Sequence, residues 1–240
     1  MSGMSASGMP AADPFARLVL ETMPQESRVG LTLGFVRTFA VPEIAEVLYG
    51  TGRMTGAPKD RAKATGAAMF ALIGHGTGSP EGRRIVEDLR RVHQRPGITP
   101  ELMRYVLACF TVCPLRFVEE HGPRPVTGAE RDAAYRFHLD VAGALGLPEL
   151  TVDGLPGLEH WMARFERDRF APGAPARALW RASGGLLAAR LPRPLARLAP
   201  LVAACLLDQP LRAALGVRRP PAPLRFLVAR ALRARARRGH

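Results

Sequence analysis

Between residues 79 and 130 the chain carries three helix-start signals in succession, and they constrain its fold more than any other feature. Ser79-Pro80-Glu81 supplies an N-cap oxygen, a proline at the first helical position and an acid in the first turn. Thr99-Pro100-Glu101 repeats that arrangement. Thr127-Gly128-Ala129-Glu130 matches a capping box, in which the threonine and glutamate side chains cap each other's backbone N–H groups. Apolar residues at helical spacing follow each start: Ile85, Val86, Leu89 and Val92; then Leu102, Val106, Cys109 and Phe110; then Tyr135, His138, Val141 and Leu145. Pro114 is expected to kink or end the second of these helices, and Gly146 to stop the third.

The same signals, more weakly expressed, run through the rest of the chain. Asp13-Pro14 reads as a cap and first turn, and Pro42 opens a helix that ends near Gly50. Gly52 and Gly56 predict a flexible link. A helix over about Pro58 to Ile73 is ended by Gly74-His75-Gly76, and Leu158, Trp161, Met162 and Phe165 mark another. Met23 to Gly34 gives mixed signals. The C-terminal third is helical pieces punctuated by prolines, ending in an arginine-rich helix from about Leu224. Runs of β-branched residues are short, whereas Ala, Leu and Arg favour helix. The expected class is all-α: a single globular helical domain over residues 13–240, after a disordered segment at 1–12.

Hydrophobic residues make up 47% and aromatics 6%, so aliphatic side chains must fill the core. The net charge is +13, and Lys59 and Lys63 are the only lysines. That balance fits a general bias toward arginine, and it also fits a binder of nucleic acid or of a membrane surface. Three cysteines, Cys109, Cys113 and Cys205, make no disulfide framework; Cys109 and Cys113, one helical turn apart, make only half a zinc site, and buried structural thiols are the expectation for them. The N-terminal residues lack the basic and apolar regions of a secretory signal, and no uninterrupted apolar run is long enough to span a bilayer. A cytoplasmic, soluble protein is the default expectation.

No glycine-rich phosphate loop, nucleophile elbow or paired-histidine zinc motif is present. The histidines are His75, His93, His121, His138, His160 and His240, none at metal-ligand spacing with another. His93 follows Leu89 by four residues and Ile85 by eight, which places it on the apolar stripe of its helix. Such a residue is either a satisfied core histidine or the single protein ligand that haem requires in a cleft between helices. His138, also on an inward face, is the fallback ligand. His75, His121 and His160 read as structural or exposed.

Several segments in order resemble one family. Phe39-Ala-Val-Pro-Glu-Ile-Ala-Glu-Val-Leu48 with Thr51-Gly-Arg-Met54 is similar to the early helix and link of the MpaB-type and latex-clearing rubber oxygenases. Arg61-Ala-Lys-Ala-Thr65 matches the family's Arg-x-x-x-Thr signature, and Arg91-Val-His93 stands at the interval of its haem-ligating histidine. Residues 127–148 resemble the next helix and its end, and residues 203–216, with the proline pair and basic helix after them, resemble the family's tail. The resemblance covers roughly residues 35–238. It implies a globin-like core with additional helices, and haem b with His93 as proximal iron ligand. It also implies an oxygen-dependent attack on an alkene, as in isoprenoid chains, and so a small hydrophobic substrate together with O2. Arg61 and Thr65, one turn apart, would lie near the haem. Arg61 would pair with a propionate or stabilise bound oxygen, or else form a surface ion pair; Thr65 would donate to bound oxygen or water, or simply pack. Rubber oxygenases place a lysine directly before the signature threonine; here that residue is Ala64, and Lys63 stands one position off. The upstream glutamate that serves as base in those enzymes corresponds to Glu43 or Glu46. No nucleic-acid partner is expected on this reading. The rival reading is a non-enzymatic module whose basic C-terminal helix, with Leu224, Phe226, Leu227 and Leu232, binds anionic membrane or nucleic acid. Peripheral membrane contact is compatible with both.

Overall fold

The computed structural model describes residues 13–188 and 199–238. The disorder expected for residues 1–12 lies outside the described residues, as do Pro192, Pro194 and His240. Among the described residues the chain is all-α with no strand, in one domain. Its α-helices are α1 (Pro14–Arg17), α2 (Pro24–Arg37), α3 (Pro42–Gly50), α4 (Arg53–Gly56), α5 (Pro58–His75), α6 (Pro80–His93), α7 (Pro100–His121), α8 (Gly128–Ala144), α9 (Gly154–Arg169), α10 (Ala174–Ala188), α11 (Ala199–Cys205), α12 (Gln209–Leu215) and α13 (Ala222–Arg238). A π-turn (Leu18–Thr22) leads into α2 and a 3-10 turn (Thr38–Ala40) leaves it.

The start signals act as their chemistry requires. Ser79 Oγ accepts from Gly82 N at 2.9 Å and Thr99 Oγ1 from Leu102 N at 3.2 Å. Thr127 Oγ1 accepts from Glu130 N at 3.3 Å while Glu130 Oε2 accepts from Thr127 N at 2.8 Å, completing the box. Asp13 caps α1 through Phe15 N and Ala16 N. One expectation needs correction, and two open readings are resolved. The link at Gly52–Gly56 is not open chain: Gly52 takes a left-handed φ of 66° and launches the short α4. The mixed signals of Met23 to Gly34 resolve into α2, whose interior glycines depress local propensity yet permit its packing. Pro114 does not end α7, which runs on to His121.

The reason is the contact between α2 and α7, the two buried spines of the molecule. A Cβ on Gly30 would stand 2.5 Å from Pro114 Cα, and one on Gly34 would stand 2.6 Å from the Cys109 carbonyl oxygen. Backbone therefore meets backbone along this seam, and α2 braces α7 across the proline. Gly34→Ala is expected to lower the unfolding free energy by about 1–3 kcal/mol through overpacking. A urea midpoint equal to the parent's would show that the seam can open without cost.

Packed around α7 are three apolar clusters. One joins it to α1, α8 and α9 through Phe15, Tyr105, Leu158 and Met162. A second joins α2 and the 3-10 turn to α10 and α12 through Phe35, Phe39, Leu179 and Leu215. The third, smaller, ties α5 and α6 to α7 and α8 through Leu72, Val86, Leu107 and Val141. An ionic cluster pins α2 to the far elements. Arg37 grips Glu166 of α9 with Nε and Nη2 at 2.5 and 2.6 Å, and reaches Asp208, the N-cap of α12, at 2.5 Å. Tyr105 donates to the same Glu166 at 3.1 Å. Cys109 and Cys113 are buried thiols in the same region, as expected.

The apolar residues of α13 do not form one side. Val228 is buried and Leu224 and Leu232 are half-buried at four-residue spacing, whereas Phe226 and Leu227 are 66% and 59% exposed. No helix among the described residues is long and apolar enough to cross a membrane.

Candidate active site

Helix α6 shows where the site is. Its stripe of Ile85, Leu89 and Val92 should be covered by a neighbour, yet within α6 only Gly82 and Val86 are buried. The stripe faces a cavity of about 300 Å3, and the unfilled space among these walls, counted out to open solvent, is about 1370 Å3. The opposite walls are α3 (Ile44, Val47, Leu48) and α5 (Ala64, Thr65, Ala68, Met69). The floor is α7 (Met103, Val106, Leu107, Phe110), with Val141 of α8 and Leu145, its C-cap, also on the lining. Val92, 45% exposed, marks the open side. The lining is overwhelmingly aliphatic, with Thr38, Glu43, Thr65, Asp88 and His93 its principal polar side chains.

His93 closes the last turn of α6, half-buried and on the cavity wall. Its Nδ1 lies 2.7 Å from the Leu89 carbonyl oxygen, one turn earlier on the helix. A carbonyl accepts only, so Nδ1 donates in this contact, and in the neutral ring the lone pair then belongs to Nε2. That is the tautomer and the restraint found in imidazoles that ligate metals through Nε2.

The sequence's other candidates divide. Thr65 and Ala64 both line the cavity, whereas Lys63 is exposed and does not. Arg61 sits on the first turns of α5, and its side chain lies outside the described residues. Of the two glutamates, Glu43 is on the wall and Glu46 is an exposed residue off it. Glu43 Oε1 accepts from Arg169 Nη1 at 2.7 Å, and Arg169 also donates to Glu101 at 2.9 Å.

His138 is buried, at 1% exposure, but is not among the residues lining the cavity. Neither ring nitrogen finds a hydrogen-bond partner among the described residues. Burial, helped by the nearby Arg104 charge, pushes its pKa down to about 4. In the unfolded chain the imidazole titrates near its ordinary 6.5, so between pH 6.5 and 4 the unfolded state binds the extra proton. Stability is therefore complete above pH 6.5 and falls as the pH drops toward 4, by on the order of 3 kcal/mol. His138→Leu should flatten that slope in urea titrations at pH 7 and pH 4.5; an equally steep loss in the variant would assign the effect elsewhere.

Among the described residues, no three side chains of the His, Cys, Asp and Glu types converge. A bare metal ion therefore has no protein cage here, whereas a macrocycle that brings its own four nitrogen donors needs one imidazole and an apolar slot. The residues fit haem in both respects.

A family model described as "ER-bound oxygenase mpaB/B'/Rubber oxygenase, catalytic domain" matches residues 25–238. The chain belongs to that family. Membership makes it, at the family's level, an oxygenase and thus an oxidoreductase. The matched span takes in α3, α5, α6, α7 and α8, which wall the cavity, and Phe35 of α2, which also lines it. No curated protein matches the chain.

Reading the sequence alone missed the cavity's far walls. The apolar spacing of Ile44, Val47 and Leu48 identifies α3 as a helix but carries no sign of what that face meets. It also missed Arg37 with Glu166, 129 positions apart, for which no local signal exists.

Proposed function

We propose that the chain is a haem-b-dependent oxygenase that uses O2 on a small hydrophobic alkene or isoprenoid-like substrate. The observation that carries this reading is the 2.7 Å contact between His93 Nδ1 and the Leu89 carbonyl, on the wall of an apolar cavity. It prepares one imidazole to give its Nε2 lone pair to iron. When bound, haem supplies the oxygen chemistry.

The protein's own part is holding, shaping and proton handling. His93 would hold the iron. Ile85, Leu89 and Val92 offer an apolar strip, half-exposed in the protein alone, that a flat macrocycle would cover. Ala64 has no donor atom, so the α5 wall offers no amine at the place where rubber oxygenases carry lysine. Thr65, next to it on the same wall, carries a hydroxyl that would serve the haem side of the cavity, and the family resemblance assigns Arg61, on the same helix, to a haem propionate. Glu43, on the α3 wall, is the carboxylate that takes a proton, oriented by Arg169. The aliphatic remainder excludes water and selects a substrate without charge.

An absorbance titration of the purified chain with haemin tests this. A Soret band that saturates at one haem per chain is expected, and dioxygen consumption with an isoprenoid alkene should depend on it. A chain that stays colourless after supplementation, or binds haemin without saturation, would remove the reading.

A further inference from the structure

A second cavity, about 340 Å3, lies among α2, α7, α11, α12 and α13 and shares no lining residue with the first. Its chemistry is different. Arg116, Arg225 and His121 face it, alongside an apolar wall of Leu33, Phe117 and Val228.

The charges there are incompletely answered. Arg225 Nε and His121 Nδ1 are sealed from solvent, and neither has a hydrogen-bond partner among the described residues. Leaving a buried polar atom without a partner is costly, most of all on the charged Arg225 guanidinium. The carboxylate paired with Arg116, Glu159, is 3.7 Å away, long for a charge-assisted contact. Arg37 also borders the cavity, but its guanidinium is committed to Glu166 and Asp208. The Glu120 side chain, the other carboxylate at the rim, is 70% exposed. The unmatched charge in this space is therefore cationic, and an oxyanion would satisfy it. A free inorganic ion would satisfy the arginines but leave the apolar wall wet, whereas a hydrocarbon tail covers that wall.

We propose that this second cavity binds an anionic amphiphile, its carboxylate or phosphate head on Arg225 and Arg116 and its short hydrocarbon tail along Leu33, Phe117 and Val228. The proposal does not depend on haem in the first cavity.

Calorimetric titration of the full chain with octanoate and with octyl phosphate, beside octanol and inorganic phosphate, tests it. Saturable binding of one amphiphile per chain is expected, and whichever head binds tighter identifies the source as a carboxylate or a phosphate. Octanol and inorganic phosphate should each bind about tenfold more weakly or worse. Arg225→Gln should weaken the amphiphile by a similar factor, and Val228→Trp, which fills the space without altering charge, should abolish binding while a thermal melt shows the fold intact. Absence of saturable binding would overturn the proposal, as would octanol or inorganic phosphate binding equally well. So would unchanged affinity in both variants. If Arg225→Gln fails to fold, Arg116→Gln and Val228→Trp decide in its place.

Discussion

His93→Ala is expected to abolish the Soret band of the chain reconstituted with haemin. On the proposed reading this imidazole would be the iron's protein ligand, and its orientation is set by the Leu89 carbonyl rather than by a replaceable side chain. Removing the ring would take away the proposed coordinate bond, while the aliphatic strip that would cover the macrocycle stays in place. Weak, unsaturable association of haemin with the apolar slot should therefore survive, without the sharp spectrum of a ligated iron. His93→Gly should recover the band on addition of free imidazole, a response that a merely structural histidine would not give. His138→Leu should keep the band, because that ring is buried off the cavity. Full retention of ligated haem in His93→Ala, or its loss in His138→Leu, would defeat the assignment.

The second large effect concerns stability. Arg37→Ala and Glu166→Ala are each expected to cost about 3–5 kcal/mol, because either removes the main answer to its partner's buried charge, leaving Glu166 only the Tyr105 hydroxyl or Arg37 only Asp208. The Arg37 and Glu166 side chains are 11% and 9% exposed, so solvent cannot take over. Neighbouring Glu166, Asp208 and Cys113 hold the Arg37 guanidinium firmly in its charged form despite burial. For a domain of this size such a loss corresponds to a fall in Tm of about 6–20 °C in a circular-dichroism melt. Asp208→Ala should cost far less, about 1 kcal/mol, since its carboxylate is 45% exposed and its main loss is the cap on Leu211 N. Arg37→Met combined with Glu166→Leu should recover part of the deficit, since no lone charge remains. If the single variants melted within a degree or two of the parent, the cluster would not be what ties α2 to α9.

The helices were legible because their signals are local. A cap, a proline at the first position and an acid in the first turn all act within four residues, so Ser79, Thr99 and Thr127 mark their starts without reference to anything distant. The inward side of α6 was legible for the same reason: Ile85, Leu89 and His93 fall on one stripe by helical geometry alone. Even the family could be read, since Arg61, Thr65 and His93 keep their order and interval along the chain. Where local propensity and tertiary contact disagree, the contact wins. Gly30 and Gly34 weaken α2 as an isolated helix, yet without them α7 could not approach.

What lies opposite His93 is decided only in three dimensions. The sequence alone determined that the chain makes helices, where most of them begin, and that one histidine rides on an apolar stripe. The tertiary structure decided that this stripe meets a hollow rather than a neighbour, that Glu43 and not Glu46 stands on its wall, and that Arg37 finds Glu166. Hydrogen bonds within a helix close over four residues and are written in neighbouring letters. A cavity is the space left when helices distant in sequence fail to touch, and no local pattern encodes an absence between partners.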